Sequence, residues 1–266
     1  MKLLVFDSGV GGLSIFDAVR ARLPGLAIDY VSDNAAFPYG TKTESELVQR
    51  VSLVLHVLEK KLAPDLIVVA CNTASTVALP KIRDTLQTSV VGVVPAIKPA
   101  AERSRSKIVG LLATPGTVAR DYTRQLIDEF AAHCEVISVG SSELVQIAEA
   151  KLYGANVSAQ DIRAILAPFA EHQHAANMDI MILGCTHFPL LIDELKVAFF
   201  KPVEWIDSGA AIAARVESML QLKPQASNDS LNTKYCAYFT AQDSCTATLQ
   251  DALRSMQISD CGYIQI

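Results

Sequence analysis

The chain lacks the features of a membrane, secreted or nucleic-acid-binding protein. No apolar segment approaches the ~18 residues that a membrane-spanning helix requires. The N-terminal apolar run ends at Asp7, far too early for a secretory signal. A net charge of -5 offers no basic surface for nucleic acid. We therefore expect a cytoplasmic protein that binds a small molecule, with no nucleic-acid partner and no membrane association.

The cysteines include no C-x-x-C pair, the spacing typical of many redox and zinc sites. A reducing compartment also disfavours disulfides in a chain of this size. We therefore expect all six cysteines to be free thiols. Four of them are expected to act only as small apolar side chains, namely Cys134, Cys236, Cys245 and Cys261.

Apolar residues make up 50% of the 266 residues and charged residues 19%, which indicates a compact globular protein. Short apolar runs alternate with helical patterns along the chain. The strands predicted in the first half cover residues 2–6, 27–31, 66–70 and 90–94. A helix should begin near Leu13 and another should run from Cys71 to about Leu86. This alternation predicts an α/β fold with a mostly parallel sheet flanked by helices.

A capping box, Thr43 to Glu46, predicts the start of a further helix. Its apolar residues recur at helical spacing, so one face should lie against the sheet. That face consists of Leu47, Val51, Leu55, Leu58 and Leu62.

The second half of the chain repeats the first. Asp65–Cys71 and Asp179–Cys185 share an acid, four apolar residues, a small residue and a cysteine in the same register. Lys107–Thr117 likewise has the order of strand, hydroxyl and glycine found in Lys2–Gly12. A repeat this long indicates duplicated domains rather than a solenoid.

We expect two pseudo-symmetric α/β domains, each with its own mostly parallel sheet. The first comprises residues 1–96 plus 207–266 and carries Cys71, and the second comprises residues 97–206 and carries Cys185. The C-terminal part should contain a polar connection at 223–233 and strands near 235–240 and 262–266, and we expect it to complete the first domain.

Polar residues stand at the predicted strand ends. Asp7, Cys71, Thr114 and Cys185 all fall at the carboxyl edge of a parallel sheet, where ligands bind. A cysteine at a helix N-terminus has a lowered thiol pKa, which favours the reactive thiolate. The neighbouring hydroxyls could simply cap helices, but capping does not explain a matched thiol in each half.

Two neighbouring features allow other interpretations. His187 could be a structural imidazole, a zinc ligand together with Cys71, or an acid/base partner of Cys185. The loop Gly9–Gly12 resembles a dinucleotide-binding turn, with Asp29 or Asp33 as the ribose-binding acid, but Asp7 would place a carboxylate near the phosphate, and the Lys-Ser/Thr of a P-loop is missing. We interpret the glycines as a tight turn that allows close backbone approach to a small ligand.

Two matched thiols suit racemisation or epimerisation, in which a proton leaves one face of a carbon and another arrives on the opposite face. One cysteine must start as thiolate and the other as thiol, so the pair titrates jointly. Asp7 and His187 would assist the two thiols. No lysine stands out as a Schiff-base candidate, so we expect a reaction without a cofactor and without a metal.

Taken together, these residues resemble the cofactor-independent glutamate racemases of the aspartate/glutamate racemase superfamily. The resemblance runs nearly end to end and rests on five motifs in matching order, Phe6–Leu13, Pro38–Thr41, Ala70–Ala74, Leu112–Thr117 and Gly184–His187. It implies a two-domain α/β isomerase in which Cys71 takes the α-proton from D-glutamate and Cys185 takes it from L-glutamate.

Further site residues are implied by the resemblance alone. Asp7 and His187 assist the thiols, and the residues that hold the substrate are Asp7, Ser8, Tyr39, Gly40, Asn72, Thr73, Thr114, Thr117, Glu149, Thr186 and His187. The implied role is supply of D-glutamate for peptidoglycan, and hence for cell-wall biogenesis and cell shape, as a homodimer. Some members carry an N-terminal extension that binds an activator; because the first strand begins at Lys2, we expect that extension to be absent.

Two other functions stay open on the sequence alone. The chain could be a related racemase or isomerase of aspartate or another small acid, because side-chain selectivity rests on pocket shape. It could also be a non-catalytic two-domain protein that closes on an acidic ligand, although such a protein has no need of paired thiols.

Overall fold

A computed structural model describes residues 1–222 and 233–266. These residues form two compact units. The first comprises Met1–Val93, Leu152–Gly154 and Gly209–Ile266, and the second comprises Val94–Lys151 and Ala155–Ser208. Each unit contains one sheet whose paired strands are all parallel. The predicted α/β class is confirmed.

The first unit contains a six-stranded sheet. Its strands are β1 Lys2–Asp7, β2 Ala27–Ser32, β3 Leu66–Val69, β4 Val90–Gly92, β9 Tyr235–Phe239 and β10 Asp260–Tyr263, in the order β10-β9-β2-β1-β3-β4. Its helices are α1 Leu13–Arg22, α2 Glu44–Leu62, α3 Asn72–Val77, α4 Leu79–Ile82, α11 Gly209–Met219 and α12 Ala247–Ser255. The C-terminal strands β9 and β10 thus extend the sheet beyond β2.

The second unit contains a four-stranded sheet. Its strands are β5 Ile108–Ala113, β6 Glu135–Gly140, β7 Ile180–Leu183 and β8 Glu204–Ile206, in the order β6-β5-β7-β8. The helices are α5 Ile97–Arg103, α6 Pro115–Ala119, α7 Asp121–Phe130, α8 Glu143–Leu152, α9 Ala159–Glu171 and α10 Ile192–Ala198.

The repeat seen in the sequence is a repeat of strand pairing. In the first unit Phe6 of β1 pairs with Val69 of β3, and in the second Leu112 of β5 pairs with Leu183 of β7. The strand orders β2-β1-β3-β4 and β6-β5-β7-β8 also correspond. Each repeated cysteine therefore follows the equivalent strand of its own sheet, two residues after that strand ends.

The acid that opens each copy of the repeat anchors the start of the neighbouring strand. Asp65 accepts the backbone N–H of Lys2 at 2.6 Å. Asp179 accepts the backbone N–H of Ser106 at 2.9 Å and that of Arg105 at 2.7 Å. In each copy of the repeat the acid therefore has a structural role at the amino edge of the sheet. The cysteine lies at the carboxyl edge, where ligands bind.

Helix α2 confirms the predicted capping box and apolar face. The Thr43 side chain accepts from the backbone N–H of Glu46, and the Glu46 carboxylate accepts from the backbone N–H of Thr43. The residues predicted to face the sheet are buried except Leu62, which is partly buried and packs against the same cluster. Burial of that face is the main source of stability for such a helix.

The single helix predicted after Cys71 is wrong. The segment forms α3, then α4, then a 3₁₀ turn at Arg83–Thr85. Pro80 lies in the first turn of α4. Because proline has no backbone N–H to continue the hydrogen-bond ladder, it disfavours a helix interior and is tolerated in a first turn, and the helix breaks ahead of Pro80.

Other predicted boundaries also differ from the structure or fall outside it, and the strands predicted at 2–6, 27–31, 66–70 and 235–240 differ by one residue each. The strand predicted at 90–94 is shorter, and the closing strand lies at Asp260–Tyr263 rather than 262–266. The polar connection predicted at 223–233 lies outside the described residues except for Thr233.

The expectation of six free thiols is wrong for two of them. Cys245 and Cys261 form a disulfide across a sequence separation of 16, with Cα atoms 6.1 Å apart. The chain reverses through α12, which brings the residue before its N-cap beside β10. Spacing alone does not reveal that approach. Cys71, Cys134, Cys185 and Cys236 keep their thiols.

A helix that crosses a membrane must be both long and apolar. Within residues 1–222 and 233–266, no helix combines the length and the apolar character needed to cross a bilayer.

Candidate active site

Cys71 lies between β3 and α3, where the chain turns from a buried strand into a short helix. The residue is 7% exposed and has an extended backbone with φ of -128°. Its Sγ is 3.8 Å from the Ser8 hydroxyl, which lies just beyond β1 on the neighbouring strand. The two predicted site residues therefore meet because β1 and β3 are adjacent and end at the same edge.

Asp7 is completely buried at the end of β1. Its Oδ2 accepts the backbone N–H of Gly12 at 2.7 Å. A Cβ at Gly12 would stand 2.8 Å from the Asp7 Cβ, so only glycine allows this approach. The predicted tight glycine turn is thus present, and the group that approaches its backbone closely is the Asp7 carboxylate.

Tyr39 is 1% exposed and is held by Asp33, a buried acid that the sequence analysis did not place in this site. Its hydroxyl donates to Asp33 Oδ2 at 2.6 Å. Burial, and then the negative charges of Asp33 and Cys71, raise the pKa of Tyr39 far above its usual range. Tyr39 therefore stays a neutral hydroxyl in the group of buried residues that includes Cys71.

Asp33 is fully buried and is neutralised by Arg50. The guanidinium donates through Nε to Oδ2 at 2.9 Å and through Nη2 to Oδ1 at 2.6 Å. The Asp33 carboxylate raises the pKa of Arg50, chiefly by these hydrogen bonds. Thr240 adds a fourth bond, from its hydroxyl to Oδ1 at 2.8 Å. The sequence signal that could have placed Asp33 in this site is its position directly after β2, at the edge that also carries Asp7.

The remaining site residues predicted in the first unit lie close to Cys71 along the chain or in the turn after Tyr39. Asn72 and Thr73 are buried in the first turn of α3, whereas Gly40 is exposed within the 3₁₀ turn Tyr39–Thr41. Ser75 has a structural part instead, because its hydroxyl donates to the Val69 carbonyl and accepts the Val93 N–H, both at 2.9 Å.

In the second unit, Cys185, His187 and Glu149 form a continuous relay. Cys185 is 8% exposed, and its Sγ is 3.8 Å from Nδ1 of the buried His187 ring. The other ring nitrogen, Nε2, is 2.7 Å from Glu149 Oε1. A carboxylate accepts only, so Nε2 carries a proton, and in the neutral ring Nδ1 then presents its lone pair to the thiol. This arrangement lets His187 accept a proton from Cys185.

Cys185 differs from Cys71 in the structure of the segment that comes after it. The chain continues into a 3₁₀ helix at Phe188–Leu191 before α10 begins. The expected helix N-terminus at this thiol is therefore wrong, and the group beside the sulfur is the His187 imidazole. Pro189 lies in the first turn of that 3₁₀ segment, where proline is tolerated because its missing N–H has no partner within the helix.

The threonines predicted in the second unit occupy the equivalent edge. Thr114 caps α6 by accepting the Thr117 N–H, and the two hydroxyl oxygens are 2.9 Å apart. Thr117 and Thr186 are buried, at 1% and 5% exposure. Thr114 corresponds to Ser8 in the repeat, so both sheets carry a hydroxyl one residue beyond the end of their first strand.

These features define a duplicated α/β protein with a thiol of the same register in each half, beside a hydroxyl in the first unit and an imidazole in the second. A family model described as Asp/Glu/Hydantoin racemase matches residues 13–216. The chain therefore belongs to the Asp/Glu/hydantoin racemase family.

Similar proteins carry a more specific name. The chain is 49% identical over 241 residues to a glutamate racemase of Klebsiella pneumoniae, covering 90% of this chain and 84% of that protein. It is also similar to a crystal structure of Escherichia coli glutamate racemase in complex with L-glutamate and the activator UDP-MurNAc-ala, with a TM-score of 0.90, 43% identity and coverage of 99% and 98%. A glutamate racemase isoform of Bacillus anthracis matches with a TM-score of 0.79 at 27% identity, covering 99% and 96%.

Proposed function

We propose that this chain is a glutamate racemase that interconverts L- and D-glutamate by a cofactor-independent two-cysteine proton transfer. The observation that carries the proposal is the matched placement of Cys71 and Cys185, each two residues beyond the equivalent strand of its sheet. Identity of 49% to a glutamate racemase supports the substrate.

The chemical step transfers one proton away from Cα and one proton onto it. A thiolate removes the α-proton, the Cα–H bond breaks, and its electron pair stays on the substrate as a carbanion. The other cysteine then donates its thiol proton to the opposite face, which forms the new Cα–H bond and leaves a thiolate there. Cys71 acts as base toward D-glutamate and Cys185 toward L-glutamate, so the roles exchange with direction.

His187 is the residue that sets the protonation state of Cys185. With Glu149 accepting the Nε2–H, Nδ1 takes the thiol proton to generate the thiolate and returns it when the reaction runs the other way. Asp7 sets the protonation state of Cys71 in the same way. Its carboxylate is buried at the end of the strand next to the one that Cys71 follows.

The substrate carries two carboxylates and one ammonium group, and the proposed binding residues offer matching donors and acceptors. Hydroxyl, amide and backbone groups bind the carboxylates, and Asp7 and Glu149 balance the ammonium charge. The hydroxyl and amide side chains in this set are Ser8, Tyr39, Asn72, Thr73, Thr114, Thr117 and Thr186, and Gly40 contributes backbone groups.

The proposed biological setting rests on the resemblance. The enzyme is cytoplasmic, acts as a homodimer and supplies D-glutamate for peptidoglycan. Its domains are residues 1–96 with 207–266 and residues 97–206.

A racemisation assay with both enantiomers of glutamate and of aspartate tests the proposal. We expect both glutamate enantiomers to reach the same equimolar mixture after the protein has been treated with a chelator and with no cofactor added, while aspartate turns over far more slowly. Faster turnover of aspartate would favour a related racemase. Glutamate binding without α-proton exchange would favour a binding protein and overturn the proposed activity.

A further inference from the structure

Two histidines and a glutamate lie together in the second unit, apart from the proposed catalytic residues. Glu135 is the first residue of β6, His172 caps the C-terminus of α9, and His174 comes two residues later. Five residue steps along β6, about 17 Å, separate Glu135 from the carboxyl end of the strand. The group therefore lies at the amino edge, opposite the edge that carries Cys185.

The donor atoms of these side chains converge. One ligand atom from each of Glu135, His172 and His174 lies within 4.8 Å of the other two. His174 Nδ1 is 2.5 Å from Glu135 Oε2, and His172 Nε2 is 3.8 Å from Glu135 Oε1. Each carboxylate oxygen of Glu135 thus has an imidazole nitrogen beside it.

A structural hydrogen bond between Glu135 and His174 would explain why one imidazole lies beside the carboxylate, but not why a second one does. The second is held in place by the turn itself, because the backbone N–H of His174 donates to His172 Nδ1 at 3.3 Å. The two rings are 5.8 Å apart between centroids. This contact leaves Nε2 of His172 directed at the carboxylate. The His-x-His spacing therefore builds a three-donor group that one hydrogen bond does not require.

We propose that Glu135, His172 and His174 bind a divalent transition-metal ion, with zinc as the reference ion. Imidazole nitrogens with one carboxylate oxygen are donors that zinc and its neighbours prefer, whereas magnesium and calcium prefer oxygen alone. Zinc bonds to these donors are about 2.0–2.2 Å long, which places neighbouring donors about 3.3 Å apart. The observed separations, 2.5 Å from His174 Nδ1 to Oε2 and 3.8 Å from His172 Nε2 to Oε1, lie on either side of that value, and the Glu135 carboxylate must turn to offer one oxygen to the ion.

Ligation requires only side-chain adjustments. The side chains of His172, Glu135 and His174 are 32%, 39% and 45% exposed, so they can rotate and water can fill the remaining coordination positions. His172 binds through Nε2 with its proton on Nδ1, and water replaces the contact from the His174 N–H. The ion joins the start of β6 to the connection between α9 and β7, which makes the site structural and independent of the proposed racemase activity.

Cobalt(II) titration of the full-length, chelator-treated protein tests this site, with zinc as competitor. We expect one equivalent of Co²⁺ to bind with d–d absorption and no thiolate charge-transfer band, and zinc to displace it. His172→Ala and His174→Ala should each weaken binding at least about tenfold. His133→Ala, an exposed histidine of the same unit, should leave binding unchanged.

A conservative variant covers the case in which a histidine substitution disturbs folding. Glu135→Gln keeps a hydrogen-bonding side chain beside His174 but removes the anionic donor, so it should remain folded and lose affinity. Zinc should also raise the Tm of the wild type and not that of Glu135→Gln. Absence of saturable binding below about 100 µM ion, or binding that survives these substitutions or shows thiolate absorption, would overturn the proposal.

Discussion

The His187 ring lies between a thiol and a carboxylate, with Nε2 2.7 Å from Glu149 Oε1 and Nδ1 3.8 Å from the Cys185 sulfur. The ring is 4% exposed, so water does not compete for Nε2. Glu149 therefore selects the tautomer in which the lone pair is presented to the thiol. The pairing joins α8 to the segment after β7, two parts of the chain 38 residues apart.

Glu149→Gln should impair the reaction that begins at Cys185. A glutamine amide can donate to Nε2 and so favour the opposite tautomer, with the proton facing the sulfur. We expect kcat with L-glutamate to fall about tenfold to a hundredfold, which steady-state racemisation assays measure. Glu143→Gln, an exposed glutamate of the same helix, is the matched control and should behave as wild type. An unchanged kcat for Glu149→Gln would show that the Glu149 carboxylate does not select the His187 tautomer.

Asp33→Asn should destabilise the first unit and weaken substrate binding. The amide cannot accept from all the donors that surround the carboxylate, and the charge of Arg50 loses its partner. We expect the free energy of unfolding to fall by about 3 kcal/mol in urea titrations, and KM for glutamate to rise as Tyr39 loses its fixed position. Asp17→Asn removes an exposed pair with Arg20 and should cost less than about 1 kcal/mol. Equal losses of unfolding free energy in the two variants would contradict the role of Asp33 in anchoring Tyr39 and Arg50.

Asp179 should contribute a pH-dependent part of the stability. Burial acts to raise the pKa of Asp179, but hydrogen bonds from Ser106, Ser104 and Arg105 outweigh it and hold the pKa below the usual 3.8. A lowered folded pKa stabilises the fold above the unfolded pKa, and this contribution disappears as the pH falls through the folded value.

Urea unfolding of Asp179→Asn across the pH range tests this contribution. We expect the variant to be less stable than wild type by about 2 kcal/mol at pH 7, with the difference shrinking below about pH 4. Asp128→Asn, an exposed aspartate of the same unit, should change stability by less than about 0.5 kcal/mol. A difference for Asp179→Asn that does not vary with pH would show that its charge is not responsible.

The Cys245–Cys261 disulfide should stabilise the C-terminal strands β9 and β10. A cross-link closing a loop of this length restricts the unfolded chain by about 3 kcal/mol. We expect a strong reductant, or the double substitution Cys245→Ser and Cys261→Ser, to lower the free energy of unfolding by up to that amount. Reductant should then have no further effect on the double variant. Equal stability of oxidised and reduced wild type would contradict this prediction.

Local patterns in the sequence were sufficient to predict the parallel strands, the start of α1, the capping box of α2 and the edge at which Asp7, Cys71, Thr114 and Cys185 lie. Each depends on residues close together in the chain. The internal repeat showed that Cys71 and Cys185 are equivalent positions. The repeated residues lie on strands that pair in the same way in the two sheets.

Contacts between distant segments were not predictable in the same way. Asp33 meets Arg50 of α2 and Thr240 beyond β9, at separations of 17 and 207 residues. Those meetings depend on how α2 and β9 pack, which periodicity does not specify. The disulfide has the same cause. The helix breaks ahead of Pro80, and the wrong prediction there gave helical spacing more weight than the missing N–H. A proline alone does not decide the matter, because Pro168 lies inside α9.

Deuterium incorporation at Cα is the measurement that tests the two-thiol mechanism most directly. In heavy water the wild type should place deuterium in the product enantiomer as it forms, starting from either L- or D-glutamate. Cys71→Ala and Cys185→Ala should each lose racemisation by at least about a hundredfold, while Cys134→Ala, a thiol remote from the strand ends of the site, should retain it. Racemisation at the wild-type rate by either Cys71→Ala or Cys185→Ala would contradict the account.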